Sequence, residues 1–433
     1  MVGLDPIIIE SSATGSLETD RIDVVLFVQP MVNLDRWPRR IIRVAWLGNK
    51  TDQWLEQAPL NDVDIVLVPD EPTRLRVEAT SAKKAQAIED PGSRVGAEAL
   101  KQALMRFVTA PHVAIHIGPL TREAAASWGD TPFGYDVQRA FERRGWPASV
   151  HVFAERDSAP AIRADVALHI MGVRAPAVRP GQTSVLWIIS HPDLVRLEMC
   201  RPYDVIGVGS DVFLRYLRAQ PKTDGMPPLI PLHQATDPAR FFPEPGGAAH
   251  EILFVGSSRN VRRPSVEALA GTTHDLAVYG RNWTPDLLDP RSLRGEWVPN
   301  DELHRLYASA AVVLSDSLAD MREEGFITNR VYDALASGAF VISEEVPGIE
   351  AEFDGGVVTY RDPPELVGRI EYFLAHPEER KALAARGRSA VLARHTFADR
   401  VEVIIQAVEP RLAARATATP RGSDAGDRRP GLA

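Results

Sequence analysis

The chain has 433 residues, a formal net charge of −9 at pH 7 and a single cysteine, Cys200. At roughly 150 residues per domain, this length predicts about three domains, or two with an elaboration. One cysteine excludes an intramolecular disulfide framework and a multi-cysteine zinc site, and it favours a reducing cytoplasm. The first residues lack the features of a signal peptide, and no apolar run reaches the ~18–20 residues that span a bilayer.

Short apolar runs alternate with helical patterning along most of the chain. The predicted strands are Asp23–Val28, Ile41–Leu47, Asp64–Val68, His112–Ile117, Val150–Phe153, Asp165–Ile170, Ser184–Ile189, Asp204–Val208, Ile252–Val255, Leu276–Val278, Val312–Leu314 and Phe340–Ile342. The clearest predicted helices are Ala97–Val108, Gln138–Arg144, Glu302–Ala308, Asn329–Ala336, Pro364–His376 and Phe397–Val408. Continuous apolar strands between helices are typical of parallel sheets covered on both faces. The predicted class is therefore α/β, with doubly wound Rossmann-like sheets.

An internal repeat links the start of the chain to its middle. Arg21-Ile-Asp-Val-Val-Leu resembles Arg163-Ala-Asp-Val-Ala-Leu, and Val44-Ala-Trp-Leu resembles Val185-Leu-Trp-Ile. Val63-Asp-Ile-Val then resembles Tyr203-Asp-Val-Ile. The offset drifts only from 142 to 140 residues over the three segments, which predicts one strand–turn–strand–helix–strand unit used twice.

These patterns divide the chain into four predicted parts. Residues 1–108 form an extra partial α/β repeat unit, and residues 109–245 a Rossmann-like domain for the acceptor. A proline-rich boundary precedes a second Rossmann-like domain, residues 246–410, for a nucleotide donor. Residues 411–433 lack periodicity and are rich in small residues, so a disordered tail is predicted there.

A basic turn follows the predicted strand at 252–255. Gly256 ends the strand, Arg259, Arg262 and Arg263 follow, and a helix is predicted from Pro264. Backbone N–H groups at such a turn favour an anion, and arginines donate charge-assisted hydrogen bonds suited to a diphosphate. A solvated basic turn is the alternative interpretation.

Two further elements in this half carry ligand-binding residue types. After the strand at 276–278, Gly280 permits close backbone approach, and Tyr279 or Trp283 could pack against a base or belong to the core. The block Met321-Arg-Glu-Glu-Gly-Phe-Ile-Thr-Asn-Arg-Val-Tyr-Asp predicts an acidic loop, a Gly-Phe turn and a helix. Carboxylates accept paired hydrogen bonds from neighbouring sugar hydroxyls; a solvated acidic loop is the alternative.

Together these motifs resemble the donor domain of two-Rossmann (GT-B) glycosyltransferases. The resemblance extends to bacterial group-1-type enzymes related to spore-maturation glycosyltransferases, and it covers about residues 110–410. It implies a metal-independent transferase with Glu324 beside the donor sugar, Asp333 at the ribose, and Arg259 and Arg263 at the diphosphate. The implied donor-binding set is Gly256, Arg259, Arg263, Tyr279, Gly280, Trp283, Glu324, Gly325, Phe326, Asn329, Arg330 and Asp333.

The chain departs from the family pattern at two points. The acidic pair Glu324 and Asp333 is one residue wider than the common spacing, with aspartate as its second member. Arginines also replace the usual arginine and lysine at the phosphates. The donor class therefore follows from the resemblance more firmly than the donor's identity.

The first half offers two candidate catalytic residues within motifs that the same family shares. His191 stands in Ser190-His-Pro-Asp after a predicted strand, at the edge where open α/β sheets place ligands. A neutral imidazole there could take the proton of an acceptor hydroxyl, whereas a structural turn with Asp193 is the alternative. Asp130, in Trp128-Gly-Asp, is either a base or a helix N-cap.

The resulting prediction is a cytoplasmic glycosyltransferase that moves a sugar from a nucleoside-diphosphate sugar to an acceptor hydroxyl in an interdomain cleft. The acceptor is a small molecule, glycan or peptide, and no cofactor beyond the donor and no metal are expected. The acidic balance argues against nucleic acid as a partner, while peripheral membrane contact and oligomeric state stay open. The alternatives are a nucleotide-sugar epimerase of the same fold and an inactive sugar-nucleotide-binding module.

Overall fold

The structure is a computed structural model that describes residues 24–27, 42–57, 60, 63–80, 85–91, 93–171, 177–220, 225–244 and 249–418. The described residues fall into two compact units. The first comprises those within Met1–His169, Pro176–Ser184 and Val408–Ala433, and the second those within Ile170–Ala175 and Val185–Ala407.

The first sheet holds four short parallel strands. They are β1 (Val24–Phe27), β2 (Ile42–Trp46), β3 (Ile65–Val68) and β4 (Ala85–Ala87), in the order β1-β2-β3-β4. A 3₁₀ turn at Gly48–Lys50 and the helices α1 (Thr51–Gln57), α2 (Glu71–Thr80) and α3 (Arg94–Thr109) accompany it. Two separate clusters of buried apolar side chains, with alternate strand residues in each, cover the two faces. This two-sided burial explains why the strands are continuous apolar runs in the sequence.

The second sheet has six strands. They are β5 (Val113–His116), β6 (Ala148–His151), β7 (Val166–Met171), β8 (Thr183–Ile188), β9 (Val205–Val208) and β10 (Leu229–Pro231), in the order β10-β9-β8-β7-β5-β6. The accompanying helices are α4 (Arg122–Ala125), α5 (Asp130–Arg143), α6 (Ala159–Arg163), α7 (Leu197–Cys200) and α8 (Asp211–Arg218), with 3₁₀ turns at Phe153–Glu155 and Pro192–Leu194. Chain order reverses between β5 and β7, which is the kind of switch point where α/β sheets bind ligands.

The third sheet also has six parallel strands. They are β11 (His250–Val255), β12 (Leu276–Tyr279), β13 (Leu293–Gly295), β14 (Ala310–Ser315), β15 (Val341–Glu344) and β16 (Val357–Tyr360), in the order β13-β12-β11-β14-β15-β16. Its helices are α9 (Pro264–Glu267), α10 (Leu303–Ser309), α11 (Ala319–Glu323), α12 (Asn329–Ala336), α13 (Ile349–Glu352), α14 (Pro363–Ala375), α15 (Pro377–Arg394) and α16 (Phe397–Ala418). This strand order is that of a dinucleotide-binding Rossmann sheet.

The predicted internal repeat is visible in the strand order. β1 to β4 are adjacent in chain order, and so are β7 to β10. Trp46 ends β2, and Trp187 occupies the corresponding part of β8, with a short 3₁₀ turn after each strand. The repeat is therefore confirmed as two four-strand parallel arrays built from the same kind of unit.

The predicted α/β class with Rossmann-like parallel sheets is confirmed, and most predicted elements lie within a few residues of their observed bounds. The proline-started helix after the basic turn is also confirmed, since Pro264 is the first residue of α9. The four predicted domain boundaries stay predictions. Helix α16 continues to Ala418, inside the segment predicted as a tail, and residues 419–433 lie outside the described residues. Among the described helices, none has the length and apolar character needed to cross a bilayer.

Candidate functional site

The predicted site residues gather at the carboxyl ends of parallel strands in the second compact unit. The exception is Asp130, which lies in the first unit. In the second unit, His191 follows β8, Gly256 follows β11, and Gly280 follows β12. Open α/β sheets bind ligands at this end of their strands.

Two glycines bring the ends of β11 and β12 into close contact. A methyl group on Gly280 would lie 2.2 Å from the carbonyl oxygen of Gly256, so no larger residue fits there. The Trp283 indole donates to that same oxygen at 3.0 Å, and the Tyr279 hydroxyl lies 3.2 Å from Nε2 of His250. At Gly280 the close approach is between two strand ends, and both aromatic side chains have partners within the protein. The predicted donor-binding roles of these residues stay predictions.

The three arginines of the basic turn differ in their burial and in their ion pairs. Arg263 is 5% exposed, and its guanidinium forms an ion pair with fully buried Asp316. Arg262 pairs with Glu267 at 2.8 Å, whereas Arg259 is exposed in a left-handed backbone conformation, φ 56°. Arg263 therefore anchors the turn to the end of β14, whereas Arg259 and Arg262 are both exposed.

Arg330, at the start of α12, is the cation nearest the glycine turn. Its Nε donates to the Val255 carbonyl at 2.6 Å, and its guanidinium lies 4.7 Å from the Phe254 ring centre. A methyl group on Gly256 would lie 2.5 Å from one of its terminal nitrogens. Burial and the nearby charge of Arg263 lower the pKa of Arg330. A positive charge removed from water in this way favours a bound anion beside Gly256.

The acidic turn after α11 is fixed by contacts with the start of α8. The Ser210 hydroxyl donates to the Glu324 carbonyl, and Gly325 has a φ of 73°, with Ser210 Oγ 2.9 Å from where a methyl group would stand. Phe326 is fully buried, 5.5 Å from the Phe213 ring. Within the described part of the chain, the Glu324 carboxylate makes no hydrogen bond or ion pair. The turn is therefore rigid, while its carboxylate remains available to a ligand.

Asp333, on α12, is held by two side-chain donors. Thr236 donates to one carboxylate oxygen and Asn329 to the other, each at 2.7 Å. The aspartate is 8% exposed. Its orientation is consequently fixed, and its predicted role at the donor ribose stays a prediction.

His191 occupies a strained turn and does not cap a helix with its side chain. Its backbone is left-handed, φ 53° and ψ 56°, and its carbonyl accepts from Leu194 N at 3.0 Å. Such a conformation costs about 1–3 kcal/mol in a non-glycine residue and often occurs at functional sites. For Asp130 the N-cap interpretation is wrong: Gly129 is the N-cap of α5, and the Asp130 carboxylate accepts from the Trp128 indole at 3.0 Å.

Among the residues that the structure describes, two groups of side chains have the spacing to hold a metal ion. In the first, His191, Asp193 and Asp320 place ligand atoms within 4.8 Å of one another. In the second, Glu352 already hydrogen-bonds His233 at 2.6 Å and lies 3.3 Å from His395. The second group is therefore an internally bonded network. For the first group, no hydrogen bond among its three side chains is recorded within the described residues.

Sequence reasoning missed two buried carboxylates at the ends of β14 and β15. Asp316 holds Arg263 and also accepts from the Ser265 hydroxyl at 2.6 Å. Glu344 is 4% exposed and accepts from Ser317 N–H. Burial raises the pKa of Glu344 to about 7, and the charge of Asp316 adds to the shift. A signal was present for Asp316, because the polar Ser-Asp-Ser triplet directly follows an apolar strand.

Comparison with known proteins agrees with the fold. The arrangement of Rossmann-like sheets is that of GT-B glycosyltransferases, and residues 259–406 match the family model described as Glycosyl transferase-like. No curated protein sequence matches the chain.

Solved structures with this fold share little sequence with the chain. Sucrose-phosphate synthase from Thermosynechococcus elongatus is 14% identical with a TM-score of 0.51, covering 70% of this chain and 100% of its own. Anabaena Alr3699/HepE, solved with UDP and glucose, is 11% identical with a TM-score of 0.50, covering 69% and 99%. The α,α-trehalose 6-phosphate synthase from Burkholderia multivorans is 10% identical with a TM-score of 0.50, covering 71% and 100%.

Proposed function

We propose that the protein transfers a sugar from a nucleoside-diphosphate sugar to an acceptor hydroxyl. The observation that carries the proposal is the arrangement in the second compact unit. A glycine turn with a desolvated cation, Arg330, belongs to the same unit as a rigid turn that presents Glu324. The match of residues 259–406 to the glycosyltransferase family model supports this assignment.

The donor diphosphate would bind at the ends of β11 and β12. Gly256 and Gly280 are partly exposed there, and Arg330 supplies a fixed positive charge. Arg259, exposed on the same turn, would close over the outer phosphate. Preorganised cations stabilise the negative charge that develops on a departing diphosphate, without reorganisation during the reaction.

The reacting sugar would lie between the acidic turn and His191. The Glu324 carboxylate accepts hydrogen bonds from the sugar hydroxyls, and the His191 imidazole takes the acceptor proton as the new bond to the anomeric carbon forms. Asp320 and Asp193 face this imidazole within 4.8 Å. The bond from the anomeric carbon to the diphosphate oxygen breaks at the same time, and the nucleoside diphosphate leaves with that oxygen.

The experiment is a donor panel on the purified full chain. UDP-, GDP-, ADP- and dTDP-sugars are compared by thermal shift and by release of the nucleoside diphosphate. Binding at about 100 times the dissociation constant adds about 2.7 kcal/mol of stability. We expect Glu324→Gln to lower turnover by at least 100-fold, with the exposed neighbour variant Glu323→Gln as the matched control.

The outcomes separate the proposal from its rivals. Donor binding with a changed sugar and no acceptor requirement would indicate an epimerase, and binding with no turnover would indicate an inactive binding module. If no nucleotide stabilises the protein, the donor site itself is refuted. Loss of activity in EDTA, restored by Mn²⁺, would assign the His191, Asp193 and Asp320 group to a metal ion.

A further inference from the structure

The first compact unit contains a second polar cavity, separate from the residues discussed above. Its volume is about 320 Å³, and its polar lining is provided by His116, Arg156, Asp157, His169, Arg179 and Gln182. All of these residues belong to the first unit. At about 30 Å³ per water molecule, this volume corresponds to roughly ten waters, so a molecule larger than a bare phosphate fits.

Two of the lining residues, His116 and His169, belong to a row of histidines on adjacent strands. His116 in β5 is in register with His151 in β6 and with His169 in β7, so the three side chains share one face of the sheet. The His116 ring lies 4.8 Å from that of His169 and 5.6 Å from that of His151. β5 and β7 flank the point where the strand order reverses, a position at which such sheets bind ligands.

The histidines differ in the hydrogen bonds that their ring nitrogens make. His151 is bonded through both ring nitrogens, to Ser149 at 2.7 Å and to Ser158 at 3.2 Å. His116 is 5% exposed, and within the described residues it makes no hydrogen bond. Burial, together with the charge of Arg179, lowers the pKa of His116 to about 4. A neutral imidazole of this kind can both donate to and accept from a molecule that enters the cavity.

The charged side chains that line the cavity carry an excess of positive charge. Asp157 holds both arginines: one of its oxygens pairs with Arg179, and the other lies 3.5 Å from Nε of Arg156. Two guanidinium groups share one carboxylate, so one positive charge is left uncompensated. Each guanidinium has five N–H donors, and only some of them are used by Asp157 and by the Arg156 carbonyl.

We infer that this cavity binds the phosphate group of a small phosphorylated polyol or sugar. The planar guanidinium group of an arginine can donate two parallel hydrogen bonds to two oxygens of one phosphate. The neutral imidazole of His116 can donate to the phosphate or accept from a hydroxyl. The remaining volume accommodates the carbon skeleton. That this molecule is the acceptor of the transfer reaction rests on the proposed function, whereas its binding does not.

Isothermal titration of the full chain, with no nucleotide present, tests the site. The probes are glucose 6-phosphate, inorganic phosphate and glucose. We expect the sugar phosphate to bind, phosphate to bind more weakly, and glucose not to bind. Arg179→Gln and His116→Gln should each weaken sugar-phosphate binding by roughly 10- to 100-fold, with Arg291→Gln, 90% exposed in the second unit, as the unchanged control.

Each result bears on one part of the inference. Absence of binding by both phosphorylated probes at millimolar concentration would overturn the site, as would binding that neither variant weakens in folded protein. Equal affinity for phosphate and glucose 6-phosphate would overturn the claim that a sugar skeleton is accommodated. Because no donor is used, a protein that binds the sugar phosphate but transfers nothing would retain this site and lose the proposed function.

Discussion

Glu344 makes the stability of the protein depend on pH in a way that one substitution should remove. The carboxyl group is 4% exposed at the end of β15, and burial, together with the charge of Asp316, raises its pKa to about 7 from an ordinary value of 4.5. Because the folded state binds this proton more tightly, the stabilisation is complete below about pH 4.5 and is lost as the pH rises through about 7. An increase of about 2.5 in the pKa of Glu344 corresponds to about 3 kcal/mol in the free energy of unfolding.

Glutamine at this position keeps the oxygen that accepts from Ser317 N–H and remains neutral at every pH. We therefore expect Glu344→Gln to match the wild type near pH 4.5 and to be about 3 kcal/mol more stable than it at pH 8. The free energy of unfolding is measured with urea at half-unit intervals between pH 4.5 and pH 8. The difference between the two proteins should rise across that window.

A matched control is the next residue in the chain. Glu345 is half exposed and pairs with Arg361 at 2.7 Å, so Glu345→Gln should change stability by no more than about 1 kcal/mol and by a similar amount at each pH. Parallel pH curves for wild type and Glu344→Gln would show that the Glu344 carboxyl is ionised in the folded protein at neutral pH. That result would refute the reasoning from its burial.

Three further predictions concern the packing and the cysteine. Gly280→Ala should lower the free energy of unfolding by about 2–4 kcal/mol, because its methyl group would meet the Gly256 carbonyl. The control Gly368→Ala lies in open space within α14 and should raise the free energy of unfolding slightly in the same urea assay. Removing Arg163 leaves the buried Asp64 carboxylate without its ion-pair partner. Arg163→Ala should therefore lower the free energy of unfolding by about 3–5 kcal/mol. A double variant that also carries Asp64→Asn should recover part of this loss. Burial, with a contribution from the charge of Glu198, raises the pKa of the Cys200 thiol to about 11. A disulfide reagent at pH 8 should therefore label this thiol only after the protein unfolds. Rapid labelling of the native protein would contradict this prediction.

Local chemistry was sufficient to predict the positions of the glycine turn and the acidic turn. A glycine directly after an apolar strand, followed by a helix beginning with proline, depends on backbone sterics that act over a few residues. Helix α12 was predicted with its observed bounds for the same reason, since its apolar spacing is local. These features do not require knowledge of which strands are neighbours.

The roles of individual charged side chains could not be assigned in the same way. Arg259, Arg262 and Arg263 are nearly equivalent in the sequence, yet Arg263 is buried against Asp316, 53 residues away. Arg330 reaches the end of β11 because its guanidinium donates to the Val255 carbonyl, a contact between residues 75 positions apart along the chain. Ion pairing is set by distance in space, so a count of arginines in a turn cannot show which one is available.

The sequence by itself determined the alternation of strands and helices, the internal repeat and the places where ligand-binding turns occur, because hydrophobic periodicity and glycine sterics are properties of short segments. Only the tertiary structure decided which polar groups are removed from water. It placed Glu344 and Asp316 together at neighbouring strand ends, gathered His116 and His169 from separate strands onto one sheet face, and left His116 lining a cavity. Burial and long-range pairing depend on the whole fold, and they govern which of these groups hold a charge or a proton.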